Sequence, residues 1–327
     1  MLIASVLLLF LLVVLYLSIG IYGVPLGKTF KILLSGIFPI KADWDISQYN
    51  VIMKIRLPRL LGALFVGASL SVASCAYQSI FNNPLVSSDL LGVSAGASVG
   101  AGVAILIGAS SFAIFSFSFI TGVITVLVTV LIPTAFKNRS NISLVLSGII
   151  VGGFMSSLLS LLKYVADPET TLADLTYWLL GSVARIEKEL LWVVVPVMSL
   201  SIVALILMSW RINLLSLGDK EARHLGARVG LEKTVIIILS TVLTASSVAI
   251  SGTISWLGLI IPHLARFIVG ADNRKLIPIS CTLGASFLVI IDLLSRTISK
   301  ADIPLGILIG LVGAPFFAVI LVKQRRA

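Results

Sequence analysis

Apolar runs of about twenty residues recur along this chain, separated by short polar stretches. A helix needs about 20 apolar residues to cross a bilayer. On that period the pattern predicts spans at 2–22, 58–80, 90–108, 112–136, 142–165, 190–209, 232–250, 256–269, 277–297 and 304–322. The fold class is therefore all-α: a polytopic membrane protein of about ten transmembrane helices. The run Trp256–Val269 is short for a crossing, which predicts a broken or tilted helix packed inside the bundle. Between Gly23 and Asn50 the pattern changes, and Leu26–Phe38 predicts a short amphipathic helix on the outer surface, ended near Pro39. The first run has no basic start and no small-residue cleavage site after it, so a span is expected there and not a signal peptide. With no repeat and no low-complexity linker, residues 1–327 read as one transmembrane domain.

Composition agrees with the pattern. The chain is 58% hydrophobic and 12% charged, with a mean hydropathy of +1.13. Soluble domains are about 45–50% apolar and about 25% charged, so lipid is the expected surrounding. The net charge of +10 does not point to nucleic acid, because the cations sit in short loops between spans. The basic tail Lys323, Arg325 and Arg326 predicts a cytoplasmic C-terminus, and ten spans then put the N-terminus on the same side. On those spans 13 of the 24 Lys and Arg fall inside, a weak bias. It is weak because Lys28, Lys31, Lys41, Lys54, Arg56 and Arg59 crowd the first outer loop. Cys75 and Cys281 lie in apolar runs and read as small buried hydrophobes.

One hydrophilic island, Ser216–Gly230, breaks the greasy pattern between the apolar runs Leu191–Trp210 and Thr234–Ile250. It reads as a short, partly helical, charged segment offered to something in water. Elsewhere, ionisable groups within spans are rare, and Asp292 is the clearest. An intramembrane carboxylate is a functional candidate by default, but Arg296 lies one turn away, so a local i,i+4 ion pair is expected. Gly92, Gly96 and Gly100 recur every four residues and predict a flat strip for close helix packing.

Several motifs point elsewhere and do not hold. Gly92-Val93-Ser94-Ala95-Gly96 matches a nucleophile elbow, yet Ser94 opens a membrane helix, and neither His224 nor His263 is marked as its base. Gly23-Val24-Pro25-Leu26-Gly27-Lys28-Thr29 is one residue short of a phosphate-binding loop and follows a span. Two lone histidines without an acidic or cysteine cluster suggest no metal site, and His263 reads as a packed helix residue. Asn138 and Asn141 head glycosylation sequons by pattern only, on the cytoplasmic side of the expected topology.

A set of ordered segments is more specific. Ile55-Arg56-Leu57-Pro58-Arg59-Leu60 precedes Tyr77-Gln78-Ser79-Ile80-Phe81-Asn82-Asn83-Pro84-Leu85 and Leu90-Leu91-Gly92-Val93-Ser94-Ala95-Gly96-Ala97. The island supplies Leu217-Gly218-Asp219, Ala222 and Leu225-Gly226. Gly252-Thr253-Ile254-Ser255-Trp256-Leu257-Gly258-Leu259-Ile260-Ile261-Pro262-His263-Leu264-Ala265-Arg266 follows, then Asp272-Asn273-Arg274 and Gly313-Ala314-Pro315-Phe316-Phe317. In order and spacing they resemble the permease subunits of ABC importers for iron–siderophore complexes, haem and cobalamin, the FecCD family. Trp256 stands where Phe is commoner, and Asp302-Ile303-Pro304 shortens the usual Glu-x-Pro acid.

The resemblance implies a type II ABC importer permease fold, a homodimer around one path in a prokaryotic plasma membrane. It also implies two cytoplasmic ATPase subunits and a periplasmic or lipid-anchored substrate-binding protein. The chain would be a transport subunit and not an enzyme, with no cofactor of its own and ATP bound by the partner. The island 216–230 becomes the coupling segment, with Gly218, Asp219, Ala222, Leu225 and Gly226 seated on the ATPase. Asp219 is expected to open its helix as a cap. Arg56, Arg59 and Arg296 match positions that pair with acidic residues of the binding protein. Asn83, Leu85, Asn141 and Ile142 match the two turns that close the cytoplasmic end. The cargo is expected to be a ferric siderophore, haem or cobalamin, with an oxyanion such as molybdate or tungstate as the alternative. An ion-coupled secondary transporter is the alternative of another class, which leans on Asp292 and leaves the island unexplained.

Overall fold

A computed structural model of the chain describes residues 1–20, 22–36, 38–136, 140–299 and 301–324, all helical or irregular, with no strand among them. In chain order the helices are α1 (Leu2–Ser18), α2 (Leu26–Ser35), α3 (Ile46–Asn50), α4 (Leu57–Ile80) and α5 (Val93–Leu106). There follow α6 (Ser111–Ala135), α7 (Asn141–Val165), α8 (Thr171–Leu179), α9 (Lys188–Leu207) and α10 (Ser209–Leu215). The last are α11 (Asp219–His224), α12 (Val229–Ser251), α13 (Leu257–Val269), α14 (Asn273–Ile298) and α15 (Leu305–Gln324). Six helical stretches among the described residues are long and apolar enough to cross a membrane: Ile46–Ile80, α6, α7, α9, α12 and α14. Four apolar helices are shorter: α1, α5, α13 and Leu305–Ala318 of α15. Each expected span thus holds an apolar helix, but four are too short to count as crossings by length. Lys137, Asn138, Arg139, Arg325 and Arg326, which entered the topology and sequon arguments, lie outside the described residues.

The segment ahead of α4 differs from the expected loop. The second long helix begins at Ile46 and runs through a π-helical stretch, Val51–Arg56, into α4. Ile52 is buried there with Val24 and Ile32 of the amphipathic α2 region, so this apolar contact holds two extra turns in helical form. Two short helices, α8 and α10, were not anticipated, because nine and seven residues are too few to show a period.

The bundle is organised around α4, most of which is buried. It contributes to both main apolar clusters, one with α9, α12 and α14 and one with α1, α13 and α15. Close approach sets this arrangement. A Cβ on Gly67 would stand 2.3 Å from the carbonyl oxygen of Gly284, and one on Gly284 would meet Ser71 Oγ at 2.0 Å. The expected small-residue strip behaves likewise, since a Cβ on Gly96 or Gly100 would overlap the Thr125 or Thr121 hydroxyl of α6.

Irregular backbone is kept inside protein, as lipid requires. Ser182 N donates to Ser251 O (2.7 Å), Leu305 N to Gly181 O (2.9 Å) and Gly306 N to Leu180 O (3.0 Å). Trp256 sits at φ +67° immediately before the short α13, which carries Pro262 within it. By contrast, α7 turns Ile142, Leu146, Ile149, Ile150 and Phe154 outward, an apolar face left exposed by the described residues.

Candidate functional site

The polar side chains gather at two ends of the bundle. At one end stands the island. Its helix α11 has six residues, bounded by Gly218 at φ +101° and Gly226 at φ +81°. Gly226 N donates to Arg223 O (3.0 Å) and Ala227 N to Ala222 O (2.9 Å), a Schellman closure in which Gly226 takes the left-handed position. Asp219 and Glu221 fill the first turn and Arg223 and His224 the last, the distribution a helix dipole favours.

The five expected coupling residues therefore divide by role. Gly218 and Gly226 shape the ends of the helix. Asp219 is its first residue and not its cap, and its carboxylate accepts from Lys233 Nζ at 2.5 Å. Ala222 is fully buried, which corrects its assignment to the docking face: its methyl seals α11 onto the bundle. Leu225 is 57% exposed, and Leu217, which the sequence reading did not select, is 56% exposed. Two exposed leucines thus stand at either end of a charged turn.

The two turns expected to act as a gate meet beside it. After α4, Asn82 adopts φ +49° and Asn83 N donates to Gln78 O (3.0 Å). Asn83 Oδ1 accepts from Leu85 N (2.9 Å), and the Leu85 side chain is 58% exposed. The second turn leads into α7, where Ser140 caps the helix by accepting from Ser143 N. Asn141 Nδ2 then donates to Ile80 O (3.3 Å), and Asn141 Oδ1 accepts from Lys233 Nζ (2.9 Å). Ile142 is exposed.

Further side chains that sequence reasoning missed brace this end. Gln78 donates to Val86 O (2.9 Å) and accepts from Arg266 (2.6 Å), which ties the turn after α4 to α13. Buried Asn273 accepts from Ser79 Oγ (2.8 Å) and donates to Asn213 Oδ1 (2.8 Å), joining α4, α10 and α14. Asp272 caps α14, and the Arg274 side chain, helped by Asn213, holds its carboxyl down to about 2. The Asp272-Asn273-Arg274 triplet was the available signal, but not its partners.

The opposite end carries the arginines. Arg59 grips Asp292 through two nitrogens, Nε to Oδ2 at 2.8 Å and Nη2 to Oδ1 at 2.9 Å, and reaches Asp302 with Nη1 at 2.7 Å. Tyr16 Oη also donates to Asp292. This corrects the expected Asp292–Arg296 pair. A fork arriving from α4 satisfies both carboxylate oxygens, and Arg296 turns instead over the Tyr16 ring at 3.9 Å. Arg56 donates to the carbonyls of Leu17 (2.6 Å) and Tyr22 (2.5 Å). All three arginines are buried. Their expected place as outward docking charges is corrected accordingly: each guanidinium is engaged by the chain itself. Arg185, over the Tyr177 ring at 4.9 Å, and Lys188 are exposed at this end.

Between the ends lies a cavity of about 460 Å³, bordered by the turn after α4, by α5 and by residues 253–259. Ser87, Ser88, Asp89, Ser94, Thr253 and Ser255 give it a hydroxyl-rich wall with one carboxylate, and no Lys or Arg among the described residues lines it. Ser94, expected to open α5, donates its backbone N–H to Asp89 (2.7 Å).

The model of the FecCD transport family matches residues 7–323. The "Molybdate import system permease protein MolB" of Haemophilus influenzae is 40% identical over 96% of this chain and 92% of its own length. A "Probable iron chelatin transport system permease protein" of Helicobacter pylori is 40% identical over 84% of this chain and 83% of its own. A solved structure described as "An inward-facing conformation of a putative metal-chelate type ABC transporter" superposes with a TM-score of 0.87. It is 39% identical and covers 98% of both chains.

Proposed function

The chain belongs to the FecCD transport family and is a membrane permease subunit of an ABC importer; on that premise we propose that its cargo is a metal chelate of the ferric siderophore, haem or cobalamin kind. The observation behind this reading is the cavity beside the turn after α4. Its wall offers hydroxyls and the Asp89 carboxylate. Such a wall meets the donors of a bulky chelate, while a dianion would face a like charge and no cationic partner among the described residues. Molybdate or a similar oxyanion is the second reading, favoured by the 40% identity to MolB. The test is to load the cognate binding protein with ferric chelates, haem, cobalamin and molybdate and measure which it retains and delivers. Molybdate retained to the exclusion of every chelate would overturn the leading reading.

The remaining assembly follows as part of the same proposal. Two copies enclose the path, with the exposed apolar face of α7 available to meet its mate or lipid. Two ATP-binding-cassette subunits grip the island through Leu217 and Leu225, which puts that end and both termini in the cytoplasm. A substrate-binding protein docks at the opposite end, which Arg56, Arg59 and Arg296 hold in shape from within. This chain moves its cargo without covalent change, and ATP is bound by the partner. An ion-coupled carrier is disfavoured, because Asp292 is locked to Arg59. Copurification separates the two: a chain that retains no ATPase yet transports on an ion gradient would refute the ABC assembly.

A further inference from the structure

The coupling segment and the gate were separate expectations from the sequence, and one side chain joins them. Lys233, in the second turn of α12, bonds Asp219 of α11 at 2.5 Å and Asn141 of α7 at 2.9 Å. Asn141 in turn donates to Ile80 O at the end of α4. The path therefore runs from the island helix, through one ammonium, to the first residue of α7 and the last turn of α4. We propose that Lys233 is the positioning residue that transmits movement of the coupling helix to the gate. This inference rests on the coupling role proposed above for the island.

The surroundings explain why an ionic tie is needed. A cavity of about 340 Å³ separates this part of α6 and α7 from α11, bordered by Pro133, Asn141, Leu144, Asp219, Arg223 and Lys233. Closely packed elements push one another directly, because cores are dense and bistable. Across a void there is little packing to transmit a displacement, so the bonds that span it carry the coupling. Lysine suits the task, since its long stem and compact charge reach two oxygens on different elements and can follow both as they move. The Lys233 side chain is 15% exposed, sheltered enough for charge-assisted bonds to exceed those of an open surface pair. The link at Asn273 differs. It is buried, uncharged and bonded within α4, α10 and α14, so it fixes the island's base without reaching α7.

The experiment uses the full complex of this chain with its ATPase partner in proteoliposomes, with Cys75 and Cys281 replaced by Ser and Ile142→Cys as a gate reporter. Maleimide labelling of that thiol is timed without nucleotide and after trapping with ATP and vanadate. With Lys233 present, trapping changes the labelling rate. In Lys233→Met the ATPase stays bound and hydrolyses ATP at an ordinary rate, while the nucleotide-dependent change falls by about tenfold, within the range of allosteric coupling. Lys233→Arg restores most of the response. Asp219→Asn and Asn141→Ala each weaken it, and together they do little more than either alone, because they cut one path twice. A full labelling response in Lys233→Met refutes the tie and leaves the coupling segment standing. Loss of ATPase binding in Lys233→Met also refutes it, by assigning the lysine to assembly. An unsubstituted chain that retains no ATPase would instead sink the coupling reading itself.

Discussion

The sharpest prediction concerns Asp292, whose removal tests whether the arginine end is an internal anchor. Its side chain has no exposure and that of Arg59 is 9% exposed, whereas Asp302 on the same arginine is 36% exposed. Removing one member of a buried pair leaves a desolvated charge and costs about 3–5 kcal/mol. Arg59 keeps Asp302 when Asp292 is replaced, so Asp292→Asn should fall near the lower end, about 3 kcal/mol. Asp302→Asn removes a partly solvated partner and should cost no more than about 1 kcal/mol. The combined variant Tyr16→Phe, Arg59→Met, Asp292→Leu removes the whole buried network and should recover most of the loss, because apolar replacements of such networks are often neutral. Equilibrium unfolding in mixed micelles, followed by circular dichroism, measures all three. Asp292→Asn and Asp302→Asn unfolding at the same denaturant level would refute the argument. So would a combined variant less stable than Asp292→Asn, since the carboxylate would then contribute something other than neutralising Arg59. The same reasoning says that Arg59→Glu lowers folded yield before it can report on docking.

Other predictions follow from the same geometry. Leu225→Glu and Leu217→Glu should abolish copurification of the ATPase while leaving the helical content of the purified permease unchanged; intact, transporting complexes would remove the island from the interface. Gly284→Ala places a methyl 2.0 Å from Ser71 Oγ and 2.4 Å from Gly67 O, which should cost about 1–3 kcal/mol or more by overpacking. Gly153→Ala, with nothing within 4 Å, should be tolerated in the same unfolding assay. The Asp272 carboxyl is held down to about 2, below the roughly 3.9 of a free aspartate. The stability it contributes is therefore complete above about 4 and lost as pH falls from there through about 2. Acid titration of Asp272→Asn should lack that component.

Much of this protein was legible along the chain. Helices in lipid must satisfy their own backbone and show an apolar surface, so a run such as Val229–Ser251 announces itself within one stretch of sequence. Gly96 and Gly100 declared a packing strip for the same reason: four-residue spacing is a local property. The island stood out because charge is scarce around it, but that Gly226 closes α11 was seen only in the fold. Partnership was not legible. Asp292 and Arg296 are one turn apart in sequence, yet the carboxylate went to Arg59, 233 positions away. A fork approaching from another helix meets both oxygens, and no spacing rule can express that. Ala222 and Leu225, three residues apart on one short helix, were given one role, but the direction in which the bundle lies buried the first and exposed the second. Lys233 looked like one more cytoplasmic cation. Only the fold brings Asp219 and Asn141 together on its ammonium. Sequence fixes what each segment must bury, and tertiary structure decides which polar groups then have only one another to pair with.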